Sequence, residues 1–366
     1  MNLLKRIERH LRLSMRAITS PENRTPPFLI LYVSSACNMT CEHCYYWRSL
    51  NKKDDLTLEE ILNLAGELGP IENLNLSGGE PFMREEIGEI CRFFITHNQV
   101  KQIYVPTNGY FTQNIEKQVK EILGEPTLQL IVVELSLEGM PEYHNRFRGN
   151  HRSFEKAMET YDVLHALQKM DPRVRIHSAS TVNSENINEV MELTRYLYDR
   201  CSAMDHHNIA MLHGNQRNPL LNPPSLEGYE NLYRTVAHLW KEREKGRFGA
   251  IVEPMLQWAK CEITRRQTQV IPCVAGKLIA VVYANGDVSL CEINPPVGNL
   301  KEKSFFEIWN STAAHKLRQE IGAKRCYCTK EVFQWPSITF QPIQLVRALY
   351  GARAWEKPSL PRRHSL

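Results

Sequence analysis

The chain has no run approaching the roughly 20 consecutive apolar residues of a spanning helix, so no segment reads as transmembrane. No secretory signal is visible, which argues against a disulfide framework and predicts a reducing, cytoplasmic setting. A net charge of +4 over 366 residues is too slight to predict nucleic-acid binding. Internal repeats and low-complexity tracts are absent, and no Ser/His/Asp triad or phosphate loop needs to be invoked. What remains is an ordinary globular composition, 42% hydrophobic and 23% charged, enough for one large domain and a smaller one. Against that background ten cysteines are many.

Seven of the ten fall into two sets, leaving Cys91, Cys201 and Cys261 as plain residues, although Cys261 is a weaker candidate ligand twelve residues before Cys273. The first set, Cys37, Cys41 and Cys44, sits within Cys-Asn-Met-Thr-Cys-Glu-His-Cys, directly after the strand-like run Phe28–Val33. Iron–sulfur clusters are normally held by four thiolates. A Cys-x3-Cys-x2-Cys loop can wrap three corners of a cubane and leave the fourth iron without a protein ligand. The competing reading is zinc, but structural zinc favours paired cysteines separated by a longer gap.

From Pro26 to about Leu220 short apolar runs alternate with helical stretches. Strands are expected at Phe28–Val33, Asn73–Ser77, Gln102–Pro106, Leu130–Ser136, Arg175–Ser180 and Asn208–Leu212. Helices are expected at Thr57–Leu68, Glu85–Thr96, Gln113–Leu123, Phe154–Met170 and Ile187–Tyr198, with Thr57 and Glu60 as a capping box. Six strands alternating with helices imply parallel crossovers and a sheet curling toward a barrel. Such folds place function at the C-terminal ends of the strands, where the cysteine triad, Gly78-Gly79, Thr107-Asn108-Gly109 and Ser136 all fall.

Taken together, the triad and the Ser77-Gly78-Gly79-Glu80-Pro81 segment one strand later resemble the radical S-adenosylmethionine (SAM) superfamily. The resemblance implies an α/β fold, a partial (β/α)6 TIM-like barrel. It also implies a SAM-binding [4Fe–4S] cluster on Cys37, Cys41 and Cys44, with SAM chelating the open iron. Gly78, Gly79, Glu80 and Pro81 would hold the SAM amino group. Thr107 and Asn108 match a family Thr-Asn-Gly turn. Ser136 and Glu138 match a Ser-Leu-Asp-Gly segment near the ribose, with Glu in place of Asp. Arg148 would face the SAM carboxylate, Asn183 would line the adenine or substrate pocket, and His43 would pack near adenine. The implied chemistry is the cofactor's: one electron cleaves SAM to methionine and a 5′-deoxyadenosyl radical, which abstracts hydrogen from a substrate C–H bond. A low-potential donor, flavodoxin or ferredoxin, is implied by the need for that electron. The catalytic residues beyond the cofactor ligands are not readable.

The second set is Cys273, Cys291, Cys326 and Cys328, with Gly286-Asp-Val-Ser-Leu-Cys291 on an expected hairpin through Asn285-Gly286 and a helical Ser304–Trp309 segment following. It resembles the small SPASM/twitch-like iron–sulfur domain of radical SAM enzymes, its twitch-like form with one auxiliary [4Fe–4S] cluster. Zinc on four thiolates is the alternative, and a non-catalytic zinc or cluster scaffold is the alternative class.

The ends of the chain are basic and apolar. Leu3, Ile7, Leu11, Met15 and Ile18 recur at helical spacing beside Lys5, Arg6, Arg9, Arg12 and Arg16. Ile343, Leu345, Val346, Leu349 and Tyr350 accompany Arg347, Arg353, Lys357, Arg362 and Arg363. Such helices suit peripheral contact with the inner face of a membrane, and they favour a lipid or lipid-linked substrate over a ribosomal peptide, sugar or aminocyclitol. The 27 residues before the first strand leave no room for a separate peptide-recognition domain. The expected organisation is a basic helix over 1–27, a barrel over 28–225, a helical connection and cluster domain over 226–340, and a basic tail over 341–366, with 215–225 as a linker.

Overall fold

Alternation with a period of two decides what each strand shows to either side of the sheet. The computed structural model describes residues 3–246 and 249–356. In it β1 (Phe28–Ser34), β2 (Asn73–Gly78), β3 (Gln102–Thr107), β4 (Leu130–Ser136), β5 (Val174–Val182) and β6 (Met204–Met211) pair in parallel in sequence order. One face of these strands is apolar and buried, as Leu74, Leu76, Ile103, Val105, Ile131, Val133 and Ile176 show. The register carries the other face from Asn75 to Tyr104, and from Glu134 through His177 to His206. This polar face lines the lumen. The sixth strand begins at Met204 rather than Asn208, because the run Asp205-His206-His207 carries no apolar signal.

The crossovers α2 (Leu58–Glu67), α3 (Ile87–His97), α4 (Thr112–Leu123), α6 (Ser153–Met170) and α7 (Ile187–Arg200) cover the apolar face, and the short α5 (Pro141–Arg148) is inserted after β4. Thr57 and Glu60 form the expected capping box, a device contributing about 1 kcal/mol. After α8 (Leu226–Glu244) and α9 (Gly249–Arg266), the chain returns to the barrel. Its strand β7 (Ile279–Val282) pairs in parallel with β1, and β8 (Asp287–Ser289) and β9 (Gly298–Asn299) extend the same sheet antiparallel. The order β6-β5-β4-β3-β2-β1-β7-β8-β9 leaves the barrel open, with β6 at one edge. The turn between β7 and β8 is the expected Asn285-Gly286 hairpin, with Gly286 at φ +91°. Helices α10 (Phe305–Trp309), α11 (Thr312–Gly322), α12 (Glu331–Thr339) and α13 (Pro342–Glu356) complete the C-terminal part.

Helix α1 (Leu3–Ile18) lies across the N-terminal ends of β1, β2 and β7. Arg9 and Arg12 grip Glu72 at 2.6 and 2.5 Å, Arg16 reaches the Thr25 carbonyl, and Lys277 donates to the Ala17 carbonyl. Leu13 and Ala17 are buried beneath the helix, while Leu4, Ile7, Leu11, Met15 and Ile18 are exposed. The docking face is therefore built from arginines, and the apolar spacing read from sequence marks the outer face. Expected residues Lys357, Arg362 and Arg363 lie outside the described residues.

Candidate active site

The cysteine triad rides on the loop that leaves β1, and three neighbouring segments hold that loop through backbone groups. From β2, Gly79 N–H donates to the Ser34 carbonyl and Glu80 N–H to the Ala36 carbonyl, at 2.9 and 2.7 Å. Gly78 has φ +137°, and a Cβ at Gly78 or Gly79 would drive into the carbonyl oxygen of Ser34 or Ala36. The close approach of two stretches of backbone by itself requires these glycines, in addition to the ligand approach the sequence suggested. From α5, the carbonyls of Arg148 and Phe147 accept from Thr40 and Glu42 N–H, both at 3.1 Å, and so bracket Cys41. From the third side, Arg217 N–H donates to the Cys44 carbonyl and Asn218 N–H to that of Glu42. The stretch 215–221, expected as a linker, is part of the wall of this site. Its Pro/Asn-rich composition signals a loop but not what the loop touches.

Glu80 is buried with its carboxylate fixed by three donors, Phe82 N–H, Asn108 N–H and the Thr107 hydroxyl. Burial pushes its carboxyl up, against those hydrogen bonds. Pro81 opens the tight turn that follows, and Asn108 Nδ2 donates to Asn38 inside the triad loop at 2.8 Å. Glu138 and Arg148 form a buried ion pair at 2.7 Å, and Glu138 also accepts from Thr181 N–H. Burial opposes the Arg148 charge, but Cys41 and Glu138 outweigh it and raise its pKa. His43 stacks on Phe147 at 5.3 Å and 9°, with Nε2 3.7 Å from Glu138. Burial lowers its pKa and so favours neutral imidazole. Ser136 ends β4 on the lumen side. Asn183 instead caps its own turn, accepting from Glu185 and Asn186 N–H, so the pocket-lining role expected for it competes with a structural one.

Two features fit a cluster on the triad with SAM beside it. Burial pushes the Cys37 thiol up to about 12, raises those of Cys41 and Cys44, and the three couple electrostatically with one another. A bound cationic cluster removes the cost of ionising them. Around them Asn38 Nδ2, His43 Nδ1, Arg148 Nε and Arg217 Nε are buried without a hydrogen-bond partner, and buried polar atoms of this kind are normally satisfied.

The second set converges in the same way. Burial and the other three cysteines raise Cys273, and Cys328 is pushed up to about 11 by burial. Asn294 Nδ2 lies 3.1 Å from Cys291 Sγ. Cys261 is buried in α9, where its charged neighbours are Glu230, Lys260, Arg265 and Glu262 rather than the other cysteines, so it leaves the ligand set. Cys91 and Cys201 are buried in the core, as expected.

Between the two sets runs a bridge that sequence reasoning missed. Glu292, next to Cys291, pairs with Lys330, two residues past Cys328, at 2.6 Å. Its other oxygen accepts from Tyr32 on β1 and from Tyr45, which follows Cys44. Lys330 Nζ sits 4.0 Å above the Tyr45 ring. Deeper in the lumen, burial pushes the Glu134 carboxyl up to about 7, while hydrogen bonding to Glu244 and the charges of Glu253 and Glu134 carry His206, against burial, up to about 9. A cavity of about 490 Å³ at the open β6 edge is lined by His206, Glu244 and Glu253 among others. Only the alternation of β4 and β6 could have drawn attention to Glu134 and His206.

Residues 31–197 match the family model of the radical SAM superfamily, and residues 273–330 match that of SPASM, an iron–sulfur cluster-binding domain. The chain is 22% identical over 337 residues to the sporulation killing factor maturation protein SkfB of Bacillus subtilis, covering 88% of this chain and 74% of that protein. It is 27% identical over 323 residues to an AdoMet-dependent heme synthase of Methanosarcina barkeri, covering 83% and 88%. Two solved structures share the fold. Streptococcus suis SuiB superposes with a TM-score of 0.59 at 16% identity, over 86% of this chain and 72% of SuiB. Native anSMEcpe with bound AdoMet gives 0.59 at 16% identity, over 89% and 99%. The chain belongs to the radical SAM superfamily, as an enzyme with a SPASM iron–sulfur domain whose cofactors are SAM and [4Fe–4S] clusters.

Proposed function

We propose that this enzyme abstracts hydrogen from a peptide substrate bound in the barrel lumen. The carrying observation is the polar inner face, where Asn75, Tyr104, Glu134, His177 and His206 replace the apolar residues that cover the outer one. Donors and acceptors spaced along strands suit backbone amides and polar side chains. They do not suit an acyl chain, whose burial against them would strand their hydrogen bonds. A maturation role is named for SkfB, and SuiB has been seen with its precursor peptide.

Within this reading Cys37, Cys41 and Cys44 hold the SAM-binding cluster, and Cys273, Cys291, Cys326 and Cys328 hold the auxiliary one. Bound cluster and SAM supply the electron and the carbon-centred radical that takes a substrate hydrogen. The chain's own residues position and shield that chemistry. Arg148 presents a fixed cation beside Cys41, held there by Glu138. Glu80 offers its remaining acceptor capacity to the SAM ammonium, and His43 packs beside the adenine. Thr107, Asn108, Ser136 and Asn183 complete the rim. A low-potential flavodoxin or ferredoxin supplies the electron.

The basic amphipathic ends motivated a lipid-linked substrate, but α1 crosses the N-terminal ends of the strands, opposite the triad loop. They therefore say nothing in favour of a lipid in the lumen. The test is to offer the reduced, reconstituted enzyme candidate precursor peptides, lipid-linked sugars and tetrapyrroles in parallel, following 5′-deoxyadenosine and substrate mass. Stimulated cleavage with a mass change in a peptide is expected. Stimulation by a lipid-linked or tetrapyrrole substrate alone would overturn the peptide reading.

A further inference from the structure

We infer that α1 and the start of α13 form a ledge that docks the enzyme on an anionic lipid bilayer, with the mouth of the active site facing away from it. On α1, Ile7, Leu11, Met15 and Ile18 recur at intervals of three and four and are 48%, 58%, 64% and 72% exposed, although Leu13 and Ala17 on the opposite side are buried. On α13, Ile343, Val346 and Tyr350 repeat the pattern at 80%, 52% and 71%, while Leu345 and Leu349 pack toward α9. His10 of α1 lies 5.5 Å from the ring of Phe340, two residues before α13 begins, so the two helices adjoin at that point.

Charge selects the occupant. Arg9 and Arg12 are spent on Glu72. Lys5, by contrast, is exposed at the margin of the apolar stripe, as are Arg347 and Arg353 on α13, and none of the three makes an ion pair among the described residues. Exposed apolar side chains flanked by free cations match the interface of an anionic bilayer, where apolar burial and headgroup attraction act together. A second copy of the chain would bring the same cations against one another. Because α1 spans the N-terminal ends of β1, β2 and β7, docking there leaves the C-terminal ends, with the triad loop, open to soluble substrate.

The test is co-sedimentation of the full-length holoenzyme with phosphatidylcholine vesicles, with and without phosphatidylglycerol, at low and high salt. Wild type should bind the anionic vesicles, more weakly as salt rises. Leu11→Asp/Met15→Asp should weaken binding by about tenfold or more and Lys5→Gln/Arg347→Gln/Arg353→Gln severalfold, both with unchanged thermal midpoint and iron content. Absence of binding to anionic vesicles at low salt would overturn the inference, as would binding unaffected by Leu11→Asp/Met15→Asp. A concentration-dependent dimer abolished by that variant, without vesicle binding, would instead assign the ledge to a second copy. These outcomes are independent of which substrate the lumen takes.

Discussion

Lys330 and Glu292 meet at 2.6 Å, with side chains 8% and 5% exposed, and their ion pair is the joint between the two cysteine-bearing loops. Glu292 extends from the residue after Cys291 to Tyr32 and Tyr45 of the barrel, and Lys330 covers the Tyr45 ring. The C-terminal set is thereby fixed to the residue that follows Cys44. Strand β7, paired with β1, supplies the second anchor.

Glu292→Ala should therefore be costly out of proportion to its size. It leaves the Lys330 ammonium buried without its carboxylate, a loss of about 3–5 kcal/mol by analogy with broken buried pairs. Urea denaturation of the holoenzyme measures it, and Glu292→Ala/Lys330→Met should recover part of the loss. A cost below about 1 kcal/mol, the range of an exposed pair, would show that the joint carries little.

Gly79→Ala tests the backbone approach beneath the triad. The added methyl meets the Ala36 carbonyl, which belongs to main chain and cannot swing aside. Loss of SAM-cluster iron is expected with the C-terminal cluster retained, read by iron content and by the spectrum of the reduced enzyme. Full iron occupancy in the variant would contradict this account of the glycine pair.

Arg148→Ala removes the partner of Glu138 and leaves that carboxylate buried beside Thr181 N–H and His43. The expected destabilisation is again about 3–5 kcal/mol, with SAM binding lost. Arg148→Lys keeps the charge but not the forked geometry, and should restore stability more fully than SAM cleavage. Equal restoration of both would reduce Arg148 to a structural role.

His206 predicts a pH dependence of stability. Its folded pKa, raised to about 9 by the Glu244 hydrogen bond and the charges of Glu253 and Glu134 against burial, lies above the unfolded value of about 6.5. Its contribution is complete below about 6.5 and is lost as pH rises through about 9. Glu134, raised by burial to about 7, acts in the same direction at lower pH, since its protonated form is the one favoured by folding. Neighbouring His207, lowered by burial to about 3, stays neutral throughout this window. Urea midpoints should fall across the alkaline limb, and His206→Gln should flatten it. An unchanged slope in His206→Gln would sink the assignment.

Much of the barrel was legible because its signals are local. The strand at Leu130–Ser136 has the bounds its pattern implies, and Thr57 and Glu60 form the capping box their spacing suggests. The glycine pair at 78–79 was also visible, but its backbone contact was not, because the carbonyls that forbid a side chain lie more than forty residues away in sequence. The same holds for the wall at Arg217 and Asn218 and for the Glu292–Lys330 joint, which depend on contacts no window of sequence contains. At α1 the periodicity was legible, but what holds the helix to the barrel was not. Arginines can dock a helix when a half-buried carboxylate such as Glu72 meets them, and that partner is invisible in the helix's own residues.

Iron and labile sulfide per chain, measured on anaerobically purified protein, test the central claim of two clusters on two cysteine sets. Wild type should hold about eight irons, and Cys37→Ala/Cys41→Ala/Cys44→Ala about four, as expected for one cubane on each set. About four irons in reconstituted wild type and none in the variant would remove the auxiliary cluster from the C-terminal set. Zinc in place of iron, resistant to reconstitution, would contradict the account altogether.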